Sequence, residues 1–228
     1  MKKIVALTGA GVSAESGITT FRDSGGMWEQ YDVMEVASID GWRKNPQLML
    51  RFYNDRRKQL EEVVPNAAHR ILAELEKDFD VTVVTQNVDN LHERAGSSKI
   101  LHLHGELTKA RSSIDPDLVV DIGYRPIEWG EKAPDGSQLR PHIVWFGEAV
   151  PMIGTAADVV ATADTVIIIG TSLNVYPAAG LVGYADRKAS IYLIDPNEVS
   201  CAGRNITMIR EKATVGMEKL REILCDNC

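Results

Sequence analysis

Short apolar runs recur along the chain at residues 4–7, 81–84, 143–146, 166–169 and 191–194. Each is rich in β-branched side chains, and most give way to polar or glycine-bearing segments. That is the pattern of strands buried on both faces of a parallel sheet. Between them the period lengthens. After Pro65-Asn66, the apolar residues Ala68, Ile71, Leu72 and Leu75 fall on one helical face, with Asn66 placed to cap the helix. Strands alternating with helices predict an α/β fold with a Rossmann-like, doubly wound parallel sheet.

Two segments break the alternation. Residues 28–64 are helical in pattern, charged, and offer no strand. Residues 107–139 carry Asp115-Pro116, Arg125-Pro126, Ala133-Pro134 and Asp135-Gly136, all turn and loop signals. Both read as insertions that pack together beside the sheet. The expected division is a large lobe from 1–27, 65–106 and 140–228 and a smaller lobe from 28–64 and 107–139, within one domain.

Composition sets limits on function. With 44% hydrophobic and 25% charged residues, the chain suits a globular protein able to build a core without disulfide staples. A net charge of -7 argues against nucleic acid or an anionic membrane as a partner. The three cysteines, Cys201, Cys225 and Cys228, neither pair completely nor supply four thiolates for a structural zinc. Cys225 and Cys228 form a CxxC that reads as part of a fraying tail, with a redox or metal role as the alternative, and sparse cysteine suits a reducing, cytoplasmic setting. The apolar run after Lys2-Lys3 imitates a secretion signal but dissolves at Thr8-Gly9, so a first buried strand explains it better. No stretch approaches the length of a membrane span.

The first run leads into Gly9-Ala10-Gly11-Val12-Ser13-Ala14-Glu15-Ser16-Gly17. A glycine turn between strand and helix lets backbone approach a dinucleotide pyrophosphate and aims helix-start amides at it. The third glycine is displaced from G-x-G-x-x-G spacing, and no ribose-binding acid follows about twenty residues on. The turn therefore points to a phosphate-containing ligand and away from a dehydrogenase, with a tight structural turn as the alternative. Gln86, Asn87 and Asp89 follow the second apolar run, so they emerge at the carboxyl edge where open α/β sheets bind ligands. Satisfying loop backbone is their competing role. Tyr53 and Arg56 lie three apart on a helical face. A phenol and a guanidinium together suit a carboxylate, although an exposed helix face is the ordinary explanation. His104 stands between the Ile100-Leu101 run and Gly105, whereas His69, His92, His102 and His142 read as structural or as supports behind the residues that touch ligand.

Extended through Gly17-Ile18-Thr19-Thr20-Phe21-Arg22, the glycine turn resembles the GAGxSxxSGIxxFR signature of sirtuins. The match continues through Thr85-Gln86-Asn87-Val88-Asp89-Asn90-Leu91-His92, His102-Leu103-His104-Gly105, Val144-Trp145-Phe146-Gly147-Glu148 and Gly170-Thr171-Ser172. It covers nearly the whole chain and is weak over 108–138. The resemblance implies a single catalytic domain, 1–228, acting as an NAD-dependent protein-lysine deacylase that consumes NAD as a co-substrate. Its partners would be acyl-lysine proteins or peptides. The acyl oxygen would attack the ribose as nicotinamide leaves, and water would finally release lysine and O-acyl-ADP-ribose.

The same resemblance assigns roles. His104 is the general base, and Asn87 serves the cofactor and the catalytic water. Gln86 meets the ribose and Asp89 the nicotinamide carboxamide. Gly9, Ala10, Gly11 and Ser13 surround the cofactor, Phe21 shields the ribose, and Arg22 organises the nicotinamide pocket. Gly170, Thr171 and Ser172 hold the adenosine side, and Ala213 contributes backbone to adenine. Asp195 or Asn197 would touch the adenosine ribose, although the family commonly has an asparagine directly after the strand. Val144, Phe146, Gly147 and Glu148 would pair with substrate peptide by strand addition.

Class III sirtuins carry a Tyr-x-x-Arg pair like Tyr53 and Arg56, which implies removal of succinyl, malonyl or glutaryl groups with some deacetylation. Ala14 would widen the acyl pocket. Most of the family holds a structural zinc with two CxxC pairs, but 111–139 contains no cysteine and Ser112 falls near the first ligand's place. No metal is expected, and the lobe would rest on packing among Ile114, Leu118, Val119, Ile122 and Trp129. A non-catalytic NAD or ADP-ribose module and a protein ADP-ribosyltransferase are the alternatives.

Overall fold

The computed structural model describes residues 1–18, 31–171, 173, 175–197 and 205–225. In chain order come β1 (Lys3–Thr8), α1 (Ala10–Ala14), α2 (Val33–Val36), α3 (Ile39–Lys44), α4 (Pro46–Glu62), α5 (Ala67–Glu74), β2 (Asp80–Thr85), α6 (Leu91–Ala95) and β3 (Ile100–His102). The second half holds β4 (Gly105–Ser112), β5 (Val119–Asp121), β6 (Leu139–Ile143), α7 (Ile153–Ala161), β7 (Thr165–Ile169), β8 (Ser190–Ile194), β9 (Ile206–Ile209) and α8 (Ala213–Cys225).

Six strands form a sheet in the order β3-β2-β1-β7-β8-β9, every neighbour pair parallel. The chain steps outward from β1 to β3, then returns and steps outward the other way from β7. The reversal between β1 and β7 is a topological switch point, where such sheets open a crevice at their carboxyl ends. Residues of β1 alternate between faces, as a period of two requires. Ile4 and Ala6 join Ile71, Leu72, Met217 and Leu220 from α5 and α8. Val5 and Leu7 join Val160 of α7 and Leu181 of a 3-10 turn, Ala178–Tyr184. The sheet is thus covered on both sides, which is why its strands read as unbroken apolar runs.

The run at 143–146 is not a strand of this sheet. Ile143 ends β6, which belongs to a second, antiparallel sheet of order β5-β4-β6. Ile143 and Trp145 pack against Phe52 and Tyr53 of α4. Their hydrophobicity therefore serves the junction with the α2–α4 module. That module caps its own helices. The Asn45 side chain accepts from Leu48 N ahead of Pro46, and Ser38 accepts from Gly41 N. Asn66 likewise caps α5, accepting from Ala68 N at 3.0 Å, while the His69 side chain accepts from Asn66 N to close a capping box.

The apolar set expected to hold the small lobe needs correction. Ile122 is buried, but Ile114 is 80% exposed, Trp129 54% exposed, and Val119 is exposed as well. The cluster that forms instead gathers Leu50, Ala110, Ile122, Ile127, Ala133 and Leu139. Beside it lies a polar hub. Ser112 Oγ donates to Asp135 Oδ2 at 2.5 Å, sits 2.8 Å from Ser137 Oγ, and accepts from the amides of Ile114 and Asp115 at 3.0 and 2.9 Å. These bonds tie the end of β4 to the 135–137 turn. Both regions are places where the sequence lacks the cysteines that the resemblance leads one to expect.

Cys225 was expected in a fraying tail but is the exposed last residue of α8; Cys201 and Cys228 lie outside the described residues. Among the described residues, no helix is long and apolar enough to cross a membrane.

Ser112→Ala should lower the unfolding free energy by about 1–3 kcal/mol, because two amides and a carboxylate lose their shared partner at a buried position. Ile114→Ala should change it by less than about 0.5 kcal/mol. Urea denaturation of both variants checks the ranking. The reverse order would mean that the apolar side chains hold this lobe.

Candidate active site

The site begins with a contact between backbones. Gly9 N donates to Ile169 O at 3.0 Å and Gly11 N to Gly170 O at 2.9 Å. A Cβ on Gly9 would lie 2.7 Å from Thr171 Cβ, and one on Gly11 would lie 2.6 Å from Gly170 Cα. Side chains cannot fit there, so the end of β1 and the end of β7 meet as bare chain. The sequence reading aimed the amides of the helix start at a phosphate. The Gly9 and Gly11 amides are engaged by the Ile169 and Gly170 carbonyls at and just after the end of β7, and the glycines answer first to the fold.

That contact sets α1, and α1 buries Ser13. Its Oγ donates to Asp89 Oδ2 at 3.0 Å, accepts from Asn87 Nδ2 at 3.1 Å, and lies 3.4 Å from His69 Nε2. Asp89 Oδ1 also accepts from Leu91 N at 3.1 Å. Burial pushes the Asp89 carboxyl up, and the Leu91 and Ser13 donors pull it partly back. Asn87 N is held by Thr85 Oγ1 at 3.0 Å, while Gln86 Nε2 donates to Thr171 Oγ1 at 3.1 Å across the β2 and β7 ends. Ser13, Gln86, Asn87, Asp89 and Thr171, expected to work together, are therefore brought together.

His104 stands at the rim. Its Nδ1 lies 3.0 Å from Gln86 O. A carbonyl only accepts, so the network assigns the proton to Nδ1 and a lone pair to Nε2. Burial lowers its pKa below the ordinary histidine value, with the Gln86 bond opposing. A neutral imidazole with a free lone pair is a base. The next residue makes this placement possible: Gly105 has a φ of +80°, and a Cβ there would lie 1.9 Å from His142 O. His102 makes the matching bond to Asn87 O at 3.1 Å, but its Nε2 meets Glu93 Oε1 at 2.7 Å. Burial pulls His102 down, yet Glu93 outweighs it and the net shift is upward. Glu93, His102 and Glu106 also present ligand atoms within 4.8 Å of one another, though Glu106 pairs with Lys109 at 2.7 Å.

Tyr53 and Arg56 share their helix face as expected. Arg56 Cζ lies 5.7 Å from the Phe52 ring centre and 5.9 Å from that of Tyr53. Burial pulls the guanidinium's pKa down, while Tyr53 and Asp89 support its charge. Tyr53 is buried, and that burial pushes its phenol up to about 12, so it stays neutral. Trp145 Nε1 donates to Tyr53 Oη at 2.9 Å. Indole N–H cannot accept, so the phenol accepts in that contact and keeps its own proton for another acceptor. Ala14, half-buried, ends α1 nearby in sequence to Ser13.

The expected peptide edge is narrower than foreseen. Val144 N donates to His104 O, Phe146 N donates to Ala37 O, and Phe146 O accepts from Ile39 N. Those groups are taken by the protein itself, which leaves the Val144 carbonyl and the Gly147 backbone outside these bonds. Glu148 is likewise engaged. Its carboxylate accepts from Arg140 at 2.7 and 3.0 Å, from Arg111 at 3.2 Å and from Trp145 N at 2.9 Å, so it braces the loop. Asp195 turns inward on Asn197 N at 2.8 Å. Ala213 is buried at the start of α8, beside Thr214, whose amide and hydroxyl donate to Glu15. Phe21, Arg22 and Ser172 lie outside the described residues.

The sequence reading left His69 either structural or a support behind the site. It is fully buried, three residues after the Asn66 cap, and its ring centre lies 4.8 Å from that of His92. Burial drops His69 to about 4 and His92 well below its ordinary value. The signal was available as Asn66-x-x-His69, a capping-box spacing with histidine in the reciprocal place.

The Sir2 family model matches residues 9–177. The chain is 57% identical to an NAD-dependent protein deacylase of Bacteroides thetaiotaomicron, over 98% of each chain. It is also similar to a solved Sir2 homologue in complex with NAD, with 38% identity, a TM-score of 0.88, and 99% of this chain and 90% of that one covered. A Sir2 protein solved with a deacetylated peptide and 3'-O-acetyl-ADP-ribose is 28% identical with a TM-score of 0.79, over 96% of this chain and 92% of that one.

Acid should destabilise the fold through His69. Its folded pKa of about 4 lies below an unfolded value near 6.5, so between those values only the unfolded chain takes up the proton. Its contribution is complete above pH 6.5 and shrinks as pH falls towards 4, a loss of roughly 3 kcal/mol. Imidazole 15N NMR should show His69 titrating near 4, His104 below 6.5 and His102 above it. A His69 that titrated near 6.5 would contradict this account.

Proposed function

The chain belongs to the Sir2 family and is an NAD-dependent protein deacylase, and from that premise we propose that it favours lysines bearing succinyl, malonyl or glutaryl groups over acetyl-lysine. The observation that carries this reading is the pairing of Tyr53 and Arg56 in a partly desolvated setting, the guanidinium 5.9 Å from the Tyr53 ring. An arginine shielded from water gives a carboxylate stronger charge-assisted bonds than an exposed one. The Tyr53 hydroxyl, accepting from Trp145, still has a proton to donate. Ala14 leaves room for the longer chain.

The residues present fit NAD. A buried Asp89 carboxylate suits a carboxamide N–H, and Gln86, Asn87 and Thr171 offer polar contacts at the crevice. NAD, consumed as a co-substrate, supplies the ribose carbon that accepts the acyl oxygen as nicotinamide leaves, and carries the acyl group off as O-acyl-ADP-ribose. His104 takes a proton from a ribose hydroxyl at Nε2 and later returns it, while Nδ1–H stays on Gln86 O. Asn87 orients cofactor and water. In our reading Ala10 and Ser13 line the cofactor, Gly170, Thr171 and Ser172 hold its adenosine side, and Ala213 meets adenine. Phe21 is read as the shield of the ribose and Arg22 as an organiser of the nicotinamide pocket. The similar structure bearing a deacetylated peptide and 3'-O-acetyl-ADP-ribose supports the same destination for the acyl group here. A module that only bound the nucleotide would have no use for the lone pair on His104.

We also read the small lobe as metal-free, since Ser112 gathers by hydrogen bonds what a zinc would gather by thiolates. We also read 28–64 and 107–139 as the smaller lobe, a division supported by the pairing of β4 with β5 and β6 in an antiparallel sheet of their own.

Arg56→Met should reduce desuccinylation of a peptide roughly ten- to a hundredfold more than deacetylation of the matched acetyl peptide, the worth of one or two charge-assisted bonds. Equal losses on both substrates would sink the acidic-acyl reading. Tyr53→Phe should act the same way more weakly, but it also strands the Trp145 N–H, so Arg56 is the cleaner test. His104→Ala should abolish both reactions and leave NAD binding largely intact. Turnover near wild type, followed by mass spectrometry, would remove His104 from the mechanism.

A further inference from the structure

His69 sits outside the residues that would touch either substrate, yet every polar atom of its ring faces a group with a fixed role. Asn66 N points at Nδ1 from 3.3 Å. A backbone amide can only donate, so Nδ1 must hold a lone pair, and a neutral imidazole must then carry its proton on Nε2. Nε2 faces Ser13 Oγ at 3.4 Å, the long end of hydrogen-bonding distance. Asn87 Nδ2 donates to the same oxygen from 3.1 Å. With both neighbours donating to it, the Ser13 hydroxyl has one direction left for its own proton, and Asp89 Oδ2 lies there at 3.0 Å.

The directions therefore run one way, from the N-cap of α5 through His69 and Ser13 to Asp89. We propose that His69 is a positioning residue for NAD, whose Nε2–H locks the Ser13 hydroxyl onto Asp89 and so keeps that carboxylate an acceptor for the nicotinamide carboxamide. The inference rests on the reading above in which Asp89 meets nicotinamide. Were the tautomer reversed, Nε2 would present a lone pair and compete with Asp89 for the single Ser13 proton. The fold guards against this from two sides. His69 is fully buried, and its Nδ1 is also the reciprocal acceptor of a helix capping box, so the tautomer that serves the cap is the one that serves the site. His92 packs against it at a tilt of 58°, with Nε2 bonded to Thr8 Oγ1 at 3.2 Å and Nδ1 without a partner among the described residues, a second neutral ring whose bond runs to Thr8 and not to Ser13.

Two substitutions separate the ring's two jobs. His69→Gln can place an amide N–H where Nε2–H was, keeping the bond to Ser13 while losing the cap. His69→Asn can place an amide oxygen where Nδ1 was, keeping the cap while losing Ser13. We expect His69→Asn to raise the KM for NAD and the nicotinamide inhibition constant about tenfold with kcat changed far less, and His69→Gln to stay within about threefold of wild type on both even if its Tm falls. Activity loss that tracks Tm instead, with His69→Gln the worse variant, would make His69 structural only and overturn the proposal. In a Ser13→Ala background, His69→Asn should have no further effect on KM for NAD, and an undiminished effect would also overturn it. If neither variant folds, 15N NMR of the wild-type ring decides: Nε2–H supports the chain of donors and Nδ1–H overturns it. Asp89→Asn serves as the control for the underlying reading. If it leaves KM for NAD unchanged, the nicotinamide assignment has failed; if it raises KM while His69→Asn does not, only the role of His69 has.

Discussion

The close approach of Gly9 and Gly11 to Gly170 is the constraint from which the rest of the site follows. Two parallel strands, β1 and β7, end side by side at the switch point, and their following loops cross with no side chain between them. Gly170 contributes from the opposite side: with a φ of +62°, it would carry a Cβ only 2.3 Å from Val12 N. A single methyl group at any of the three positions would force the loops apart. Because α1 is a helix of five residues starting at that crossing, its direction is set by the crossing rather than by its own packing. Ser13 is consequently driven beneath the ends of β2, where Asn87 and Asp89 need a buried partner. The glycines thus determine where the serine sits.

Where the chain's chemistry repeats at a period set by one element, the sequence was readable. Apolar runs marked β1, β2, β7 and β8, and Asn66 marked the start of α5, because burial on two faces and helix capping are both local consequences of composition. Residues 143–146 misled for the same reason: Ile143, Trp145 and their neighbours are as apolar as a central strand, but they are buried by α4 rather than by a second pair of strands. Strand β9 went unnoticed, since an edge strand half open to solvent has no continuous apolar run. In the site, polar residues at strand ends were legible one motif at a time. The use of Phe146 and Glu148 within the protein was not, because the bonds that occupy them come from Ala37, Ile39 and Arg111, all distant in sequence, and from Arg140 on the preceding strand.

The small lobe shows what replaces a predictable core. Its apolar cluster is modest, and the residues that looked most suited to extend it lie at the surface. A hydroxyl with one proton and two lone pairs can join several strands of chain at once, and Ser112 does so for the end of β4, the 114–115 turn and the 135–137 turn. Asp135 is held below the usual carboxylate range chiefly by Ser112 and then by Ser137, so the hub prefers an ionised partner. This is a directional constraint. It fixes geometry that a few loosely packed aliphatic side chains would leave open.

The same principle separates the two histidines of the His102-Leu103-His104 segment. They are two residues apart, point the same way, and each gives its Nδ1–H to a carbonyl of the β2 loop, Asn87 for one and Gln86 for the other. Burial penalises the cation in both. The difference lies entirely at Nε2. Glu93 stands against His102 and Glu106 lies behind it, so the cation is favoured and the lone pair is lost to a proton that the acid helps retain. At His104 burial outweighs the bond to Gln86 O, so the cation is disfavoured and the neutral ring keeps a lone pair on Nε2. A base needs a proton affinity close to that of its surroundings and an unoccupied nitrogen facing the substrate. Of two neighbours held by like backbone carbonyls in the same tautomer, only His102 has Nε2 against Glu93, so the placement of Glu93 on α6 sets the two histidines apart and supports the proposed role of His104 as the base.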